Sequence, residues 1–186
     1  ALVSRHEGQR VSCRDLQAES NRLASALLKT GLVPGDRVGI WSHNNVAWVL
    51  MQIATAKAGL VLVNINPAYR TSDVEYALNK VGCKALVTMP RFKTSDYLGM
   101  LRELGAKKLR QLQAIYWIDI PGQGAAEAGM TRFSTLLEHG DPQDARVAEV
   151  QRGLQATDPI NIQFTSGTTG FPKGATLTHR NILNNG

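Results

Sequence analysis

Cysteine, aromatic residues and long apolar runs are all scarce in this chain of 186 residues. Its two cysteines, Cys13 and Cys83, lie far apart and do not have the spacing of a metal site, which predicts free thiols in a reducing compartment. The longest apolar candidate, residues 46–58, is interrupted by Gln52 and Lys57 and is too short to cross a bilayer. The first residues also lack the apolar core of a signal peptide. These scarcities argue against a disulfide scaffold, a cysteine metal site and a transmembrane segment.

The chain has no concentrated block of charge of either sign. Its net charge is +6, from 21 basic and 15 acidic residues, and the densest basic group, residues 107–110, falls where a helix is predicted to end. Basic side chains at a helix end are usually solvated and favoured by the helix dipole. Nucleic-acid binding needs cations clustered on one face, so no nucleic-acid partner is predicted. The 43% hydrophobic content is typical of a globular domain.

A Walker A loop is also missing, because no Gly-Lys-Ser/Thr follows a glycine at the required spacing. A different loop rich in glycine and hydroxyl groups follows the apolar run of residues 160–164. Glycines allow the backbone to approach a ligand, successive N–H groups can surround an anion, and a lysine adds positive charge. This composition predicts polyphosphate binding by Thr165, Ser166, Gly167, Thr168, Thr169, Gly170, Phe171, Pro172 and Lys173.

Strand-like and helix-like segments alternate along the first half of the chain. Apolar residues recur at helical spacing in three segments, and short runs rich in branched residues follow them. Such alternation predicts an α/β fold, a mostly parallel sheet flanked by helices. The predicted helices span residues 13–30, 46–58 and 72–81, and the predicted strands span residues 36–41, 60–63, 85–87, 114–118 and 160–164. The pattern is weak between residues 105 and 158, where residues 121–126 are predicted to form a surface loop.

Polar residues predict where these helices begin. Ser12 with Asp15, and Ser72 with Glu75, have the spacing of a capping box, and Asn44 or Asn45 can cap the second helix. Glycines are placed to end the three helices, at Gly31, Gly59 and Gly82. The remaining unusual residues receive structural interpretations: His43 lies in a loop, His6 and His139 on the surface, and Trp41, Trp48 and Trp117 in the core.

The glycine-rich loop resembles the signature of the adenylate-forming superfamily, which includes acyl-CoA synthetases, luciferases and peptide-synthetase adenylation domains. That signature reads Ser/Thr-Ser-Gly-Ser/Thr-Thr-Gly-x-Pro-Lys-Gly, and residues 165–174 match every fixed position, with Phe171 at the variable one. Residues 175–181 and residues 57–67, which end in Asn66-Pro67, also resemble segments of this family. Three further stretches, residues 47–52, 81–87 and 158–165, are most similar to its mitochondrial medium-chain fatty acid ligases.

The resemblance implies a chemistry as well as a fold. Members of this family attack the α-phosphate of ATP with a carboxylate, release pyrophosphate, and transfer the acyl group from AMP to coenzyme A. Residues 165–173 would then hold the β- and γ-phosphates, and Lys173 and Mg²⁺ would offset their charge. The implied small-molecule partners are a medium-chain fatty acid, ATP and CoA, and the implied location is the mitochondrion. Within the chain itself, no catalytic residue and no metal ligand is predicted.

We expect residues 1–186 to be part of the N-terminal AMP-binding (adenylation) domain, the rest of that domain and a C-terminal lid domain lying outside the chain. The chain alone is therefore expected to be inactive. His179 is interpreted as a helix-start or packing residue, although contact with substrate stays open. Two other functions stay open as well: adenylation of an aryl acid or an amino acid, and a non-catalytic nucleotide-binding scaffold.

Overall fold

The computed structural model describes residues 1–120, 122–123, 129–165 and 172–185. Seven of the strands form one sheet, and the other four form two small antiparallel hairpins, β1–β2 and β6–β7. The strands are β1 (Leu2–Ser4), β2 (Gln9–Val11), β3 (Arg37–Trp41), β4 (Val61–Ile65), β5 (Cys83–Thr88), β6 (Arg91–Phe92), β7 (Ser95–Asp96), β8 (Ala114–Trp117), β9 (Thr131–Arg132), β10 (Pro159–Thr165) and β11 (Lys173–Thr178).

The main sheet is mostly parallel, as predicted. Its strand order is β11-β10-β4-β3-β5-β8-β9, and every neighbouring pair is parallel except β10 and β11. The helices are α1 (Cys13–Lys29), α2 (Val46–Lys57), α3 (Thr71–Val81), α4 (Tyr97–Lys108), α5 (Phe133–Glu138), α6 (Ala145–Gly153) and α7 (His179–Asn184). The α/β prediction is confirmed, including the strands predicted at residues 36–41, 60–63, 85–87, 114–118 and 160–164.

Helices α2 and α3 cover opposite faces of the sheet. Leu62 and Val63 are adjacent in β4, so their side chains point to opposite faces. Asn161 is level with Leu62 and donates a hydrogen bond to Gln52 of α2, 3.2 Å away. Gly39 is level with Val63, and a Cβ there would lie 3.2 Å from a methyl carbon of Leu78, in α3. Both faces of the central strands are therefore covered, which explains their continuous apolar runs.

Two helix starts agree with the predicted caps, and one does not. Ser12 accepts a hydrogen bond from the Asp15 N–H at 3.1 Å, and Asn45 accepts one from the Trp48 N–H at 2.8 Å. The predicted capping box of Ser72 and Glu75 is wrong: α3 begins one residue earlier, at Thr71, and its first turn contains Ser72. The Asp73 carboxylate accepts from the backbone N–H of the residue before the helix, Arg70, at 3.0 Å.

The segment with the weak pattern contains short elements. Helices α5 and α6 were not predicted, and they contribute few buried apolar side chains: Phe133 and Leu136 from α5, Val147 from α6. The basic group at residues 107–110 does lie at a helix end, because α4 ends at Lys108. Of the predicted loop, Gly122 and Gln123 form a turn after Ile120, and the remaining residues lie outside the described part of the chain.

The core is formed around β3, β4 and β5. Trp41 and Trp117 are fully or almost fully buried, as predicted, whereas Trp48 packs against the core with part of its side chain exposed. Within the described ranges, no helix is long and apolar enough to cross a membrane.

The two cysteines are free and differ in environment: Cys13 is exposed and Cys83 is buried. Burial raises the pKa of the Cys83 thiol to about 12. At pH 8 this leaves roughly a thousandfold fewer thiolates than a thiol of ordinary pKa has. We therefore expect iodoacetamide to label Cys13 in the native protein and Cys83 only after denaturation, as measured by peptide mass spectrometry. Equal labelling of both cysteines in the native state would contradict this burial.

Candidate nucleotide phosphate site

The predicted phosphate loop connects β10 to β11. Its central residues, Ser166, Gly167, Thr168, Thr169, Gly170 and Phe171, lie outside the described residues, so their role stays a prediction. The structure places the two ends of the loop: Thr165 is the last residue of β10, and Pro172 immediately precedes β11. Lys173 is the first residue of β11.

The two ends of the loop are held together by strand pairing. Thr165 lies directly opposite Lys173 in the antiparallel pair, and its hydroxyl donates to the Lys173 carbonyl oxygen at 3.4 Å. Both residues are exposed. Because directly opposite residues project from the same face of a sheet, the lysine and threonine side chains leave the strand ends on one side. The stem of the hairpin thus presents a hydroxyl and an ammonium group together.

Contacts with α3 and β10 fix the second end of the loop. The Tyr76 hydroxyl, on α3, donates to the Pro172 carbonyl oxygen at 3.3 Å. Gly174 lies close against β10, since a Cβ there would be only 3.1 Å from a methyl carbon of Ile162. The fixed glycine of the motif therefore permits a close approach of β11 to β10. Sequence reasoning missed Tyr76, which lies outside the apolar stripe of its helix.

Because of the direction of β10, this loop lies at the edge of the sheet where the parallel strands end. β10 is parallel to β4, so Thr165 lies at the carboxyl edge of the parallel strands. Open α/β sheets bind ligands in crevices outside that edge. The position of the loop therefore agrees with a binding role.

A buried amide supports the strand that carries the loop. Asn161 is completely buried in β10, and its side-chain N–H group donates to Gln52 on α2. Its side-chain oxygen has no hydrogen-bond partner in the described part of the chain. Asn161 was not singled out in the sequence analysis. An asparagine between Ile160 and Ile162 interrupts an apolar run, and this interruption could have indicated it. The amide ties β10 to the helix layer four residues before Thr165.

The segment after the loop ends in a short capped helix. His179 is the first residue of α7 and is partly buried, which agrees with its interpretation as a helix-start residue. Thr178 and Asn181 cap the helix reciprocally: the Thr178 hydroxyl accepts from the Asn181 N–H at 3.2 Å, and the Asn181 side chain accepts from the Thr178 N–H at 2.9 Å. The His179 N–H also donates to the Asp158 carbonyl oxygen at 3.2 Å, which joins the end of β11 to the start of β10.

Comparisons with known proteins agree with this geometry. The family model described as AMP-binding enzyme matches residues 1–186. The chain belongs to this family. Over 203 residues it is 45% identical to the human protein named medium-chain acyl-CoA ligase ACSF2, mitochondrial, and over 199 residues it is 44% identical to the protein of the same name from Macaca fascicularis. Both alignments cover 100% of this chain, and they cover 32% and 31% of the relatives.

A solved structure confirms the fold of this family member. The acetoacetyl-CoA synthetase from Streptomyces lividans superimposes with a TM-score of 0.78 at 27% identity, over 96% of this chain and 27% of that chain. The chain spans about a third of the length of the curated relatives that it matches. The resemblance of residues 165–174 to the adenylate-forming signature therefore identified the family correctly.

Proposed function

We propose that the protein containing this chain is a medium-chain fatty acid–CoA ligase, and that residues 1–186 form the first part of its adenylation domain. The observation that supports this most strongly is the 44–45% identity, over the whole chain, to proteins named medium-chain acyl-CoA ligases. The names of these relatives also support a mitochondrial location.

In the proposed reaction, a fatty acid carboxylate oxygen forms a bond to the α-phosphorus of ATP, and the bond from that phosphorus to the bridging oxygen of pyrophosphate breaks. The sulfur of coenzyme A then bonds to the acyl carbon, the thiol loses its proton, and AMP leaves. Lys173 and the loop residues 165–172 hold the β- and γ-phosphates that leave as pyrophosphate. A fixed cation stabilises the negative charge that develops on the leaving group.

The described residues also bear on how Mg²⁺ would be held. Among them, no group of three or more His, Cys, Asp or Glu side chains could bind a metal ion. Mg²⁺ is commonly bound through substrate phosphates with few protein ligands, which fits hydroxyl groups such as that of Thr165 beside a polyphosphate. When bound, Mg²⁺ supplies further neutralisation of phosphate charge.

We expect octanoate to support ATP–pyrophosphate exchange by the complete protein, and amino acids to give no exchange above background. Benzoate serves as the aryl-acid comparison, and acyl-CoA formation is measured in parallel by mass spectrometry. Exchange with amino acids or benzoate but not octanoate would contradict the substrate class. Binding of ATP without exchange for any carboxylate would instead indicate a non-catalytic nucleotide-binding protein.

A further inference from the structure

A cavity lies at the carboxyl edge of the same sheet, away from the predicted phosphate loop. Its volume is about 490 Å³, and its wall includes residues that follow the ends of three parallel strands: His43 after β3, Met89 after β5 and Ile118 after β8. β4 separates β3 from β10, so the cavity begins about 10 Å from the loop-bearing strand, at roughly 4.8 Å per strand. Cavities of this size hold small-molecule ligands.

The cavity lies at a distinctive point in the topology of the sheet. From β3 the chain crosses through α2 to β4 on one side, and from β4 it crosses through α3 to β5 on the other side of β3. From the carboxyl end of β5 the chain continues through α4 to β8, away from β3, so the connections that leave the carboxyl ends of β3 and β5 diverge. This is the topological switch point at which open α/β sheets form ligand crevices. The cavity, which His43 and Met89 line, occupies that point.

One wall of the cavity is aromatic. The rings of His43 and Phe92 are stacked, with centroids 4.4 Å apart and planes inclined by 19°, and the His6 ring lies 5.6 Å from that of His43. His43 Nδ1 is 3.0 Å from the Met89 sulfur. Burial lowers the pKa of the His43 imidazole, which favours the neutral ring at pH 7. Because these two rings face each other, a planar ligand would extend the stack at an outer face or pack against its edge, and aromatic pairs favour both arrangements.

The two acidic groups of the cavity are already engaged by the protein. The Glu7 carboxylate accepts hydrogen bonds from the Ser4 hydroxyl at 2.5 Å and from the Val46 N–H, at the start of α2, at 2.9 Å. The Asp119 carboxylate accepts from the Ser134 N–H at 2.9 Å. The Arg132 guanidinium, 3.7 Å from Asp119, offsets the charge of that carboxylate, and the amino end of α2 faces the charge of Glu7.

The cations at the mouth of the cavity differ in their availability. The Arg91 guanidinium is paired with Asp96 at 3.2 Å. The Lys93 side chain is exposed, and its ammonium lies 5.4 Å from the centroid of the Phe92 ring; no ion pair of Lys93 occurs among the described residues. A positive charge thus stands beside the stacked rings of Phe92 and His43.

Lys93 has an unfavourable backbone conformation. It lies in the tight turn between β6 and β7 with φ of 52°, and it is the one residue other than glycine with positive φ in the described ranges. Glycine or asparagine would occupy such a position with less strain. Strained residues persist where the surrounding structure fixes them, often at functional sites.

We propose that this cavity binds a small planar anion, namely a flat unsaturated ring that carries a carboxylate or a phosphate at its edge. The ring packs on the wall formed by Phe92 and His43, and the anionic group meets the Lys93 ammonium. An aryl carboxylate and a nucleotide share this chemistry. The site uses none of the phosphate-loop residues, so this proposal does not depend on the proposed ligase activity.

The test uses the complete protein and 2-naphthoate, whose fluorescence reports binding. We expect Lys93→Ala to weaken the affinity for naphthoate about tenfold at low ionic strength, and Phe92→Leu to weaken it similarly by removing the ring contact. Lys107→Ala, which removes an exposed lysine from α4, is the charge-matched control and should leave the affinity unchanged. Displacement of the probe by benzoate or by AMP is compared in the wild type and Lys93→Ala, because AMP is also a ligand of the proposed ligase site. Displacement that requires Lys93 identifies the source of the anion, and either source supports the proposal.

Three outcomes would overturn the site. These are equal affinities of the wild type, Lys93→Ala and Lys107→Ala variants, equal binding of the neutral analogue 2-naphthamide, and Lys93-dependent displacement by octanoate as effective as that by benzoate. Lys93→Gly separates binding from folding. It should raise the melting temperature by relieving the positive φ while lowering naphthoate affinity as much as Lys93→Ala does. A Lys93→Gly variant that keeps wild-type affinity would show that the ammonium does not contact the anion.

Discussion

Replacement of Lys173 by alanine in the complete protein should reduce turnover about ten- to a hundredfold. A hydrogen bond to a charged group contributes about 1.5–3 kcal/mol, and roughly 1.4 kcal/mol corresponds to a tenfold change in rate. Lys173 is exposed at the start of β11, so its removal leaves the core intact and the melting temperature unchanged. Steady-state acyl-CoA formation and thermal unfolding measure the two effects separately.

The Lys107→Ala variant is again the matched control, because it also removes one exposed positive charge. It should retain wild-type turnover at the same ionic strength. A Lys173→Ala enzyme with turnover within twofold of the wild type would show that this lysine does not contact the reacting phosphates. A large fall in its melting temperature would instead assign Lys173 a structural role in the hairpin.

Conversion of the buried amide of Asn161 to a carboxylate should destabilise the fold by about 3–4 kcal/mol at pH 7. The change is nearly isosteric, so the cost comes from charge rather than volume. Burial raises the pKa of a carboxyl group by as much as several units, and each unit corresponds to about 1.36 kcal/mol. Asn161 is completely buried, and the Gln52 side-chain oxygen, which accepts its hydrogen bond, would lie beside the new carboxylate. Denaturant unfolding measures the loss.

The stability of the Asn161→Asp variant should also depend on pH. The folded Asn161→Asp variant retains a proton that the unfolded chain releases above about pH 3.9, so its stability relative to the wild type falls as the pH rises above that value. The deficit should therefore be smaller at pH 5 than at pH 8. Gln163→Glu introduces the same change at an exposed position of the same strand and should cost less than about 0.5 kcal/mol. Equal losses in the two variants, or a deficit independent of pH, would contradict the burial argument.

Much of the central sheet could be predicted because its strands and helices are local units. The apolar runs at β3, β4 and β5 are separated by amphipathic helices. Parallel strands joined by a helix lie in one sheet with the helix packed on its face, and few other topologies are possible. The pattern did not reveal where β10 enters the sheet. Its pairing with β4 is a contact between residues distant in the sequence, and strand order of this kind leaves no local periodicity.

The other features that the sequence did not predict have specific structural causes. Helices α5 and α6 bury so few side chains that their apolar stripes are too sparse to recognise. At α3, Ser72 and Asp73 are both plausible capping residues in the sequence, and the exact helix start decides between them. The glycine-rich loop was recognisable as a family motif, whereas the hydrogen bond from Tyr76 to Pro172 depends on the tertiary packing of α3 against the hairpin.

The late position of β10 in the chain has a consequence for the order in which the sheet assembles. Asn161 and Leu62 pair across β10 and β4, although nearly a hundred residues separate them in the sequence. Strands β3, β4 and β5 are joined through single helices, so their loops close at lower entropic cost and earlier in folding. The hairpin β10–β11 then docks on a partly formed sheet, and in the reverse process it can open as a unit while the central strands stay protected from hydrogen exchange. The predicted phosphate loop thus lies on a hairpin whose pairing with the central sheet closes a loop of nearly a hundred residues.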